Sequence, residues 1–389
     1  MFSRARIRSP RTLSQLSQAT VPKRCRHAST ESNKQPAAAA SNKVIFSGIQ
    51  PTGVPHLGNY LGALKSWVSL QNDAAVQVGD TKLLYSVVDL HAITVPQQAD
   101  ALRRGRRGML AAMLAVGLDP KRSTIFYQSS VPAHAELMWI LSCTASMGYL
   151  SRMTQWKSKL SLSEDTSALD EKAKASLKLG LFSYPVLQAA DIMVHGATHV
   201  PVGEDQKQHI EFARECASNF NTTYSKTVLI PPEIILSPAR RVMSLSKPTA
   251  KMSKSDPSPM SQISIIDDAQ QIRKKFSRAL TDSQTDVVSY DRTERPGVSN
   301  LLEILSILEG RTPTETAAQF DGLQHPLKLL KERTAEAVIK ELAGVGDRYR
   351  ELMTKNDGEA LDEIEALGAD KARRNADVTM RRVKDAVGF

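Results

Sequence analysis

From Lys43 to about residue 260, short apolar runs alternate with stretches of helical period, and few folds accept such a pattern. Val44–Ile49 reads as a strand. Leu57, Leu61, Leu64 and Val68 then recur at i, i+4, i+7 and i+11, one face of a helix. Lys82–Val88 and Ser123–Tyr127 read as strands with a helix over Gln98–Val116 between them. Helices are expected over Ala133–Met147 and Pro185–Val194, followed by a short strand near His199–Val202 and a helix from Glu204 to about Asn219. Strands separated by helices pair in parallel, and helices cover both faces of the sheet they make. Beyond Asp267 only helices are expected, among them one with Leu301, Leu302, Ile304, Leu305, Ile307 and Leu308 on a wide apolar face, entered through Pro296–Gly297. The fold class is therefore α/β: a Rossmann-like open parallel sheet with a C-terminal all-helical domain. The expected division is a leader and linker over 1–42, a catalytic sheet domain over 43–260 and helices over 261–389. A polar excursion at 161–179, rich in Lys, Ser, Glu and Asp, interrupts the sheet domain.

The net charge of +10 suggests nucleic acid until it is located. Residues 1–42 hold eight Lys/Arg against the single acid Glu31, which leaves 43 basic against 40 acidic residues in the rest. The basicity lives in the leader. An Arg-rich, Ser/Thr-rich, acid-poor segment without a continuous apolar core reads as a mitochondrial transit segment, with a retained basic RNA-binding arm as the other reading. Gln35–Asn42 resembles a connector, and the expected location is the mitochondrial matrix. No uncharged apolar run nears the roughly 20 residues of a membrane-spanning helix, so no membrane insertion is expected. Cys25, Cys143 and Cys216 are too far apart for a thiolate metal site or a disulfide framework. His195, His199 and His209 have no completing carboxylate pattern and read as ordinary surface or core histidines, so no protein-bound metal is expected.

Two segments carry chemistry. Gln50-Pro51-Thr52-Gly53-Val54-Pro55-His56-Leu57-Gly58-Asn59 links the first strand to the first helix. Its glycines permit a tight turn and close backbone approach, so the helix start can face phosphate oxygens while His56 donates to them. Alone it could equally be a glycine-punctuated turn that binds nothing. The second, Lys251-Met252-Ser253-Lys254-Ser255, lies between Pro248 and Pro257 and suits a cationic clamp on a polyphosphate. Alone it could be a solvated basic loop.

In order and in combination these segments resemble the paired signatures of class I aminoacyl-tRNA synthetases. The likeness is to the tryptophanyl-tRNA synthetases of the bacterial and mitochondrial type. Further stretches carry it: Ile45–Gly62, Val88–Val95, Arg152–Lys157, Tyr184–Ile192, Val200–Glu211, Lys251–Pro257 and Pro296–Leu302. It spans about residue 43 to the C-terminus, without the 161–179 excursion.

The resemblance implies ATP-dependent ligation of L-tryptophan to tRNA(Trp) through tryptophanyl-adenylate, in mitochondrial translation, by a homodimer using ATP with Mg²⁺. It implies phosphate chemistry at His56, Lys251 and Lys254. ATP contacts are implied at Gln50, Pro51, Thr52, Gly58, Asn59, Gly203, Glu204, Asp205, Val242, Met252, Ser253 and Ser255, with Lys159 a further candidate. Glu204 and Asp205 could also complement a helix dipole. Tryptophan contacts are implied at Asp191, Phe46, Gly48, His91, Tyr184 and Gln206. Asp191 stands in an apolar helix, where an unpaired carboxylate is costly. The family's matching aspartate accepts the indole N–H; a helix cap or core ion pair is the structural alternative. Gln188 departs from the methionine usual in bacterial members and is expected to weaken inhibitors that rely on the thioether. The helical part over 261–389 is implied to hold the tRNA anticodon, and Lys274, Lys275 and Arg278 there could face tRNA phosphates, or solvent. Tyrosyl-tRNA synthetases, small-molecule nucleotidyltransferases and non-catalytic RNA-binding derivatives share parts of the pattern. Asp191 argues against the first, the Lys-Met-Ser-Lys-Ser segment and the long helical part against the second, and the intactness of both signature segments against the third.

Overall fold

The computed structural model describes residues 43–389 apart from 74, 75, 77–79, 161, 164, 165, 167–169, 204, 205, 237–240 and 255. The leader, Glu204, Asp205 and Ser255 thus lie outside the described residues. Asn42–Phe389 form one compact unit. Its centre is a five-stranded, all-parallel sheet: β1 (Val44–Ile49), β2 (Lys82–Val87), β3 (Thr124–Tyr127), β4 (His199–Val202) and β5 (Glu233–Leu236). The order is β3-β2-β1-β4-β5, with Ile45 opposite Leu83 on one side and His199 on the other. The chain steps outward from β1 to β3, returns, and leaves the other way. The crevice at the carboxyl ends of β1 and β4 is the switch point where such sheets hold ligands.

Successive strand residues point to opposite faces. Ile45, Leu83, Tyr85, Val87 and Ile125 enter one apolar cluster, Phe46, Leu84 and Phe126 the other. The first cluster is closed by helix Ala99–Ala115 and by Leu57–Asn59, which continues through a π-helical turn (Tyr60–Leu64) into Lys65–Asn72. The second is closed by Ala133–Ser142, Leu179–Val194 and Lys207–Thr223. After Leu236 the named elements are all helical. Pro296–Glu309 and Pro326–Glu341 extend the first cluster, and the last helix, Glu359–Val387, returns to pack on β3. A Cβ on its Gly368 would lie 1.8 Å from the Ile125 carbonyl oxygen.

Three details differ from the sequence reading. β5 was not anticipated, since Glu233–Leu236 is only four residues long and closely follows Pro231-Pro232. The helix expected over Ala133–Met147 ends at Ser142, and Ser146 Oγ accepts from Tyr149 N at 3.2 Å to start a new helix, Met147–Arg152. The helix expected from Pro185 begins at Leu179 and carries the proline inside it. Proline is disfavoured there because it lacks an N–H, but Phe182, Tyr184 and Val186 are all buried around it. Packing overrides the local signal.

Candidate active site

The turn after β1 is tied down from three sides. Gly53 takes φ +92°, a left-handed conformation suited to glycine. Gly105, on the Ala99–Ala115 helix, comes so close that a Cβ would lie 2.4 Å from the Pro51 carbonyl oxygen. On the far side, Leu57 N donates to Ile263 O at 2.7 Å and Ile265 N to Pro55 O at 3.1 Å. The turn is therefore hydrogen-bonded to the chain that follows the lysine loop. Lys254 crosses between them, its Nζ donating to Gly53 O at 2.8 Å and Thr52 Oγ1 at 3.3 Å. The two segments, 200 residues apart in sequence, form one structure.

His56 caps the first helix reciprocally: its Nδ1 accepts from Asn59 N at 3.2 Å, and Asn59 Oδ1 accepts from His56 N at 3.3 Å. With Nδ1 accepting, the ring proton sits on Nε2. Burial, then the charges of Lys254 and Lys251, push this histidine down to about 4, so at neutral pH it is an uncharged N–H donor. Burial likewise pushes the Lys254 ammonium down to about 8. Gln50 continues β1, and its carbonyl accepts from Thr52 N at 2.9 Å.

Val242 lies against Gly58, its Cβ 3.4 Å from where a glycine Cβ would stand. Met252 is 2 % exposed and its N–H donates to Val242 O at 3.1 Å. Its side chain belongs to the core. Asn300, which the sequence reading did not single out, grips the adjoining backbone: its Oδ1 accepts from Met243 N at 2.9 Å and its Nδ2 donates to Met243 O at 3.0 Å. Lys251 is exposed and Ser253 half-buried.

A second cluster surrounds Asp191, which is 1 % exposed. Its Oδ1 accepts from Gln128 Nε2 at 2.6 Å and His134 Nδ1 at 2.7 Å, and its Oδ2 accepts from His91 Nε2 at 2.7 Å. Gln128 cannot turn its amide round, because its Oε1 accepts from Leu90 N at 3.0 Å. Burial alone would raise this carboxyl, but His91 and His134 hold it well below the usual carboxylate range. A carboxylate accepts about four hydrogen bonds. The three present leave capacity for one more donor, on Oδ2. Gln128 and His134 had no distinguishing local pattern. They become visible only where the ends of β3 and the next helix meet Leu179–Val194.

Phe46 stacks on the His195 ring at 5.7 Å, and Tyr184 meets His91 edge-on at 6.1 Å. Tyr184 Oη donates to Gln155 Oε1 at 2.8 Å and lies 2.9 Å from His209 Nε2. Lys159 Nζ stands 4.7 Å over the Tyr184 ring. Gly48 lies on β1, where a Cβ would come within 2.6 Å of Val88 Cγ1. Gln188 Nε2 donates to Gln206 Oε1 at 3.5 Å, joining two polar residues of the expected pocket. Gly203 O accepts from Gln206 N at 3.1 Å. Both clusters lie along the carboxyl edge of the sheet, the paired loops beyond β1 and the carboxylate against residues following β2 and β3. A separate concavity of about 900 Å³ opens in the helical region, with Arg273, Lys274, Lys328 and Lys331 in its wall. Lys275 is instead bound to Asp267 at 2.5 Å.

Known proteins resemble this chain over most of its length. A mitochondrial tryptophan–tRNA ligase of Schizosaccharomyces pombe is 45 % identical over 349 residues, 89 % of this chain and 95 % of that one. Among solved structures, tryptophanyl-tRNA synthetase of Mycoplasma pneumoniae superposes with a TM-score of 0.73 at 31 % identity, over 90 % of this chain and 98 % of that one. The Campylobacter jejuni enzyme, solved with ADP and tryptophan, gives 0.69 at 30 %, over 89 % and 100 %. The family model for class I tRNA synthetases (W and Y) matches residues 39–343, and the chain belongs to that family.

Proposed function

We infer that the chain is an ATP-dependent tryptophan–tRNA ligase, and that it serves mitochondrial translation. The observation that carries the substrate is Asp191: a buried carboxylate with three fixed donors and room for one more suits the single N–H of an indole. Phenylalanine has no such donor. A site built around a hydrogen bond rejects the ligand lacking it by roughly 10⁴–10⁵.

In the reaction the tryptophan carboxylate attacks the α-phosphorus of ATP, forming an acyl–phosphate bond as the bond to pyrophosphate breaks. The 2′-hydroxyl of the terminal adenosine of tRNA then takes the acyl group and AMP leaves. Such chemistry needs positioning and charge stabilisation. His56 offers Nε2–H to a phosphate oxygen, and Lys254 and Lys251 approach the leaving pyrophosphate. ATP enters as its Mg²⁺ complex. Val242, held through its neighbour Met243 by Asn300, lies where an adenine would meet the Gly58 turn, and Gln50, Pro51, Thr52, Asn59 and Gly203 line the crevice. Phe46, Gly48, His91, Tyr184 and Gln206 wall the amino-acid side.

Residues 43–260 form the catalytic part, and the concavity where Arg273, Lys274, Lys328 and Lys331 stand among Asp282, Glu332 and Glu336 lies on the helical face we assign to tRNA. Trp139, Met147 and Leu179 are 72 %, 66 % and 79 % exposed on helices of the sheet part. A second copy would cover them, and a sedimentation mass of a single chain would refute the dimer. No helix among the described residues is long and apolar enough to cross a membrane. The acid-poor leader and the likeness to a mitochondrial ligase support import, to be tested by following the full chain into isolated mitochondria.

The deciding experiment is pyrophosphate exchange into ATP with each amino acid in turn. Tryptophan should support exchange and tyrosine and phenylalanine should not; the reverse preference would overturn the assignment. Asp191→Asn should raise the KM for tryptophan roughly 10- to 100-fold, the magnitude of a lost hydrogen bond to a charged group. The KM for ATP should barely change.

A further inference from the structure

Behind Asp191 runs a line of buried polar groups that the reaction does not use. His134, whose Nδ1 faces Asp191, lies with its Nε2 3.2 Å from His195 Nε2. His195 Nδ1 in turn lies 2.8 Å from Asn375 Oδ1 on the C-terminal helix. His134 is 0 % and His195 2 % exposed. We propose that Asn375 is a positioning residue for the tryptophan site, acting through His195 and His134 to fix the donor that orients Asp191. The proposal rests on Asp191 as the indole acceptor.

The proton directions follow from the atoms. An amide oxygen only accepts, so His195 Nδ1 must donate to it. Burial, then the neighbouring His134, push His195 down to about 3, so it is neutral and its Nε2 is an acceptor. A carboxylate only accepts, so His134 Nδ1 donates to Asp191, while its Nε2 faces His195 Nε2. Remove the amide oxygen and the His195 ring loses the partner that fixes its orientation, and with it the contact that holds the His134 ring against Asp191. The titratable groups facing this line are Asp191 on Leu179–Val194, His134 on Ala133–Ser142 and His91 on Asp89–Ala92. From β1 and β3 the rings of Phe46 and Phe126 press on it. His209, from Lys207–Thr223, meets Tyr184 instead.

The test is pyrophosphate exchange by the full chain, with KM read separately for tryptophan and ATP. Asn375→Leu should raise the KM for tryptophan about tenfold, the scale of one buried hydrogen bond, with kcat and the KM for ATP unmoved. Asn375→Asp keeps an accepting oxygen and should stay within about threefold of the parent. In a His195→Phe background, itself impaired for tryptophan, Asn375→Leu should add nothing, because the two residues act in one line. A silent Asn375→Leu, an aspartate variant as poor as the leucine one, additive effects, or a parallel rise in the KM for ATP would each overturn the proposal. Should Asn375→Leu fail to fold, the aspartate variant alone and on His195→Phe decides by the same criteria. Asp191→Asn separates the two levels. If that variant loses tryptophan dependence while the Asn375 variants do not, only the line fails. If the parent does not use tryptophan, the substrate assignment fails with it.

Discussion

Lys254 is the residue through which the proposed ATP binding should depend on pH. Its ammonium is held between two loops by the Gly53 carbonyl and the Thr52 hydroxyl, and burial lowers it to about 8. A polyphosphate favours the charged form, so ATP binding takes up a proton wherever the free enzyme has lost it. The sign is fixed: affinity for ATP should fall as pH rises above about 8 and be level below it. Measuring the KM for ATP from pH 7 to 9.5 should show this rise, and Lys254→Arg, which stays charged, should abolish it. A profile identical in both proteins would remove Lys254 from the nucleotide site. For stability the same shift acts the other way. The folded state releases this proton before the unfolded one, so stability rises between the folded and unfolded values. Lys254 and Asp191 were legible in the sequence because each is locally improbable: a lysine in a proline-bracketed serine loop, a carboxylate among apolar neighbours. Gln128, His134 and Asn300 carry no such mark, because what makes them significant is a partner 57 or more positions away. Capping chemistry hid the role of His56 less than it defined it, since the bond to Asn59 selects the tautomer that can donate.

At the scale of elements, the helix Pro296–Glu309 does more than fill the core. Asn300 projects from its second turn to hold Met243 by both backbone groups, so the helix and the Val242 segment move together. Gly297 sets their spacing, because a Cβ there would stand 2.2 Å from the Leu280 carbonyl oxygen. Gly297→Ala should push the helix outward and destabilise the protein by about 1–3 kcal/mol, as overpacking does. It should also raise the KM for ATP while leaving that for tryptophan alone, read by thermal unfolding and exchange kinetics. Equal changes in both constants would mean that the helix carries no particular load from the nucleotide segment. The same scale explains what the sequence disclosed of the fold. Long periodic stretches, such as Lys207–Thr223, announce themselves by repeated burial of one face. Val44–Ile49 does so as a compact β-rich run between polar neighbours. Four residues at β5 offer too short a pattern, and Pro185 misleads because a local start signal sits inside a helix that tertiary packing extends.

For the whole molecule the question is whether the sheet part and the later helices act as one. The core makes them continuous: Ile45, Leu57 and Met109 share a cluster with Ile272, Phe276, Leu301 and Leu330, and the last helix adds Ala372, Ala376 and Met380 to the opposite face. Tyr60 Oη donates to Glu341 Oε1 at 2.7 Å, and Lys65 pairs with the same oxygen, so the first helix is fastened to the Pro326–Glu341 helix. Gly368 lets the last helix lie directly on the β3 backbone. A shared core of this kind couples melting, because neither part can keep its buried face once the other opens. Two probes weight the parts differently, since tryptophan fluorescence reads the sheet part and circular dichroism the helices of both. The chain's three tryptophans, Trp67, Trp139 and Trp156, all precede residue 160, whereas most of the chain after residue 260 is helix. Heating should therefore give coincident transitions by tryptophan fluorescence and by far-ultraviolet circular dichroism, and ATP should raise both midpoints together. Two separated transitions, with ATP moving only the fluorescence one, would show instead that the helices after residue 260 fold as a unit of their own. In that case the C-terminal helix could leave the sheet without the catalytic part melting, and Asn375 would no longer be held against His195.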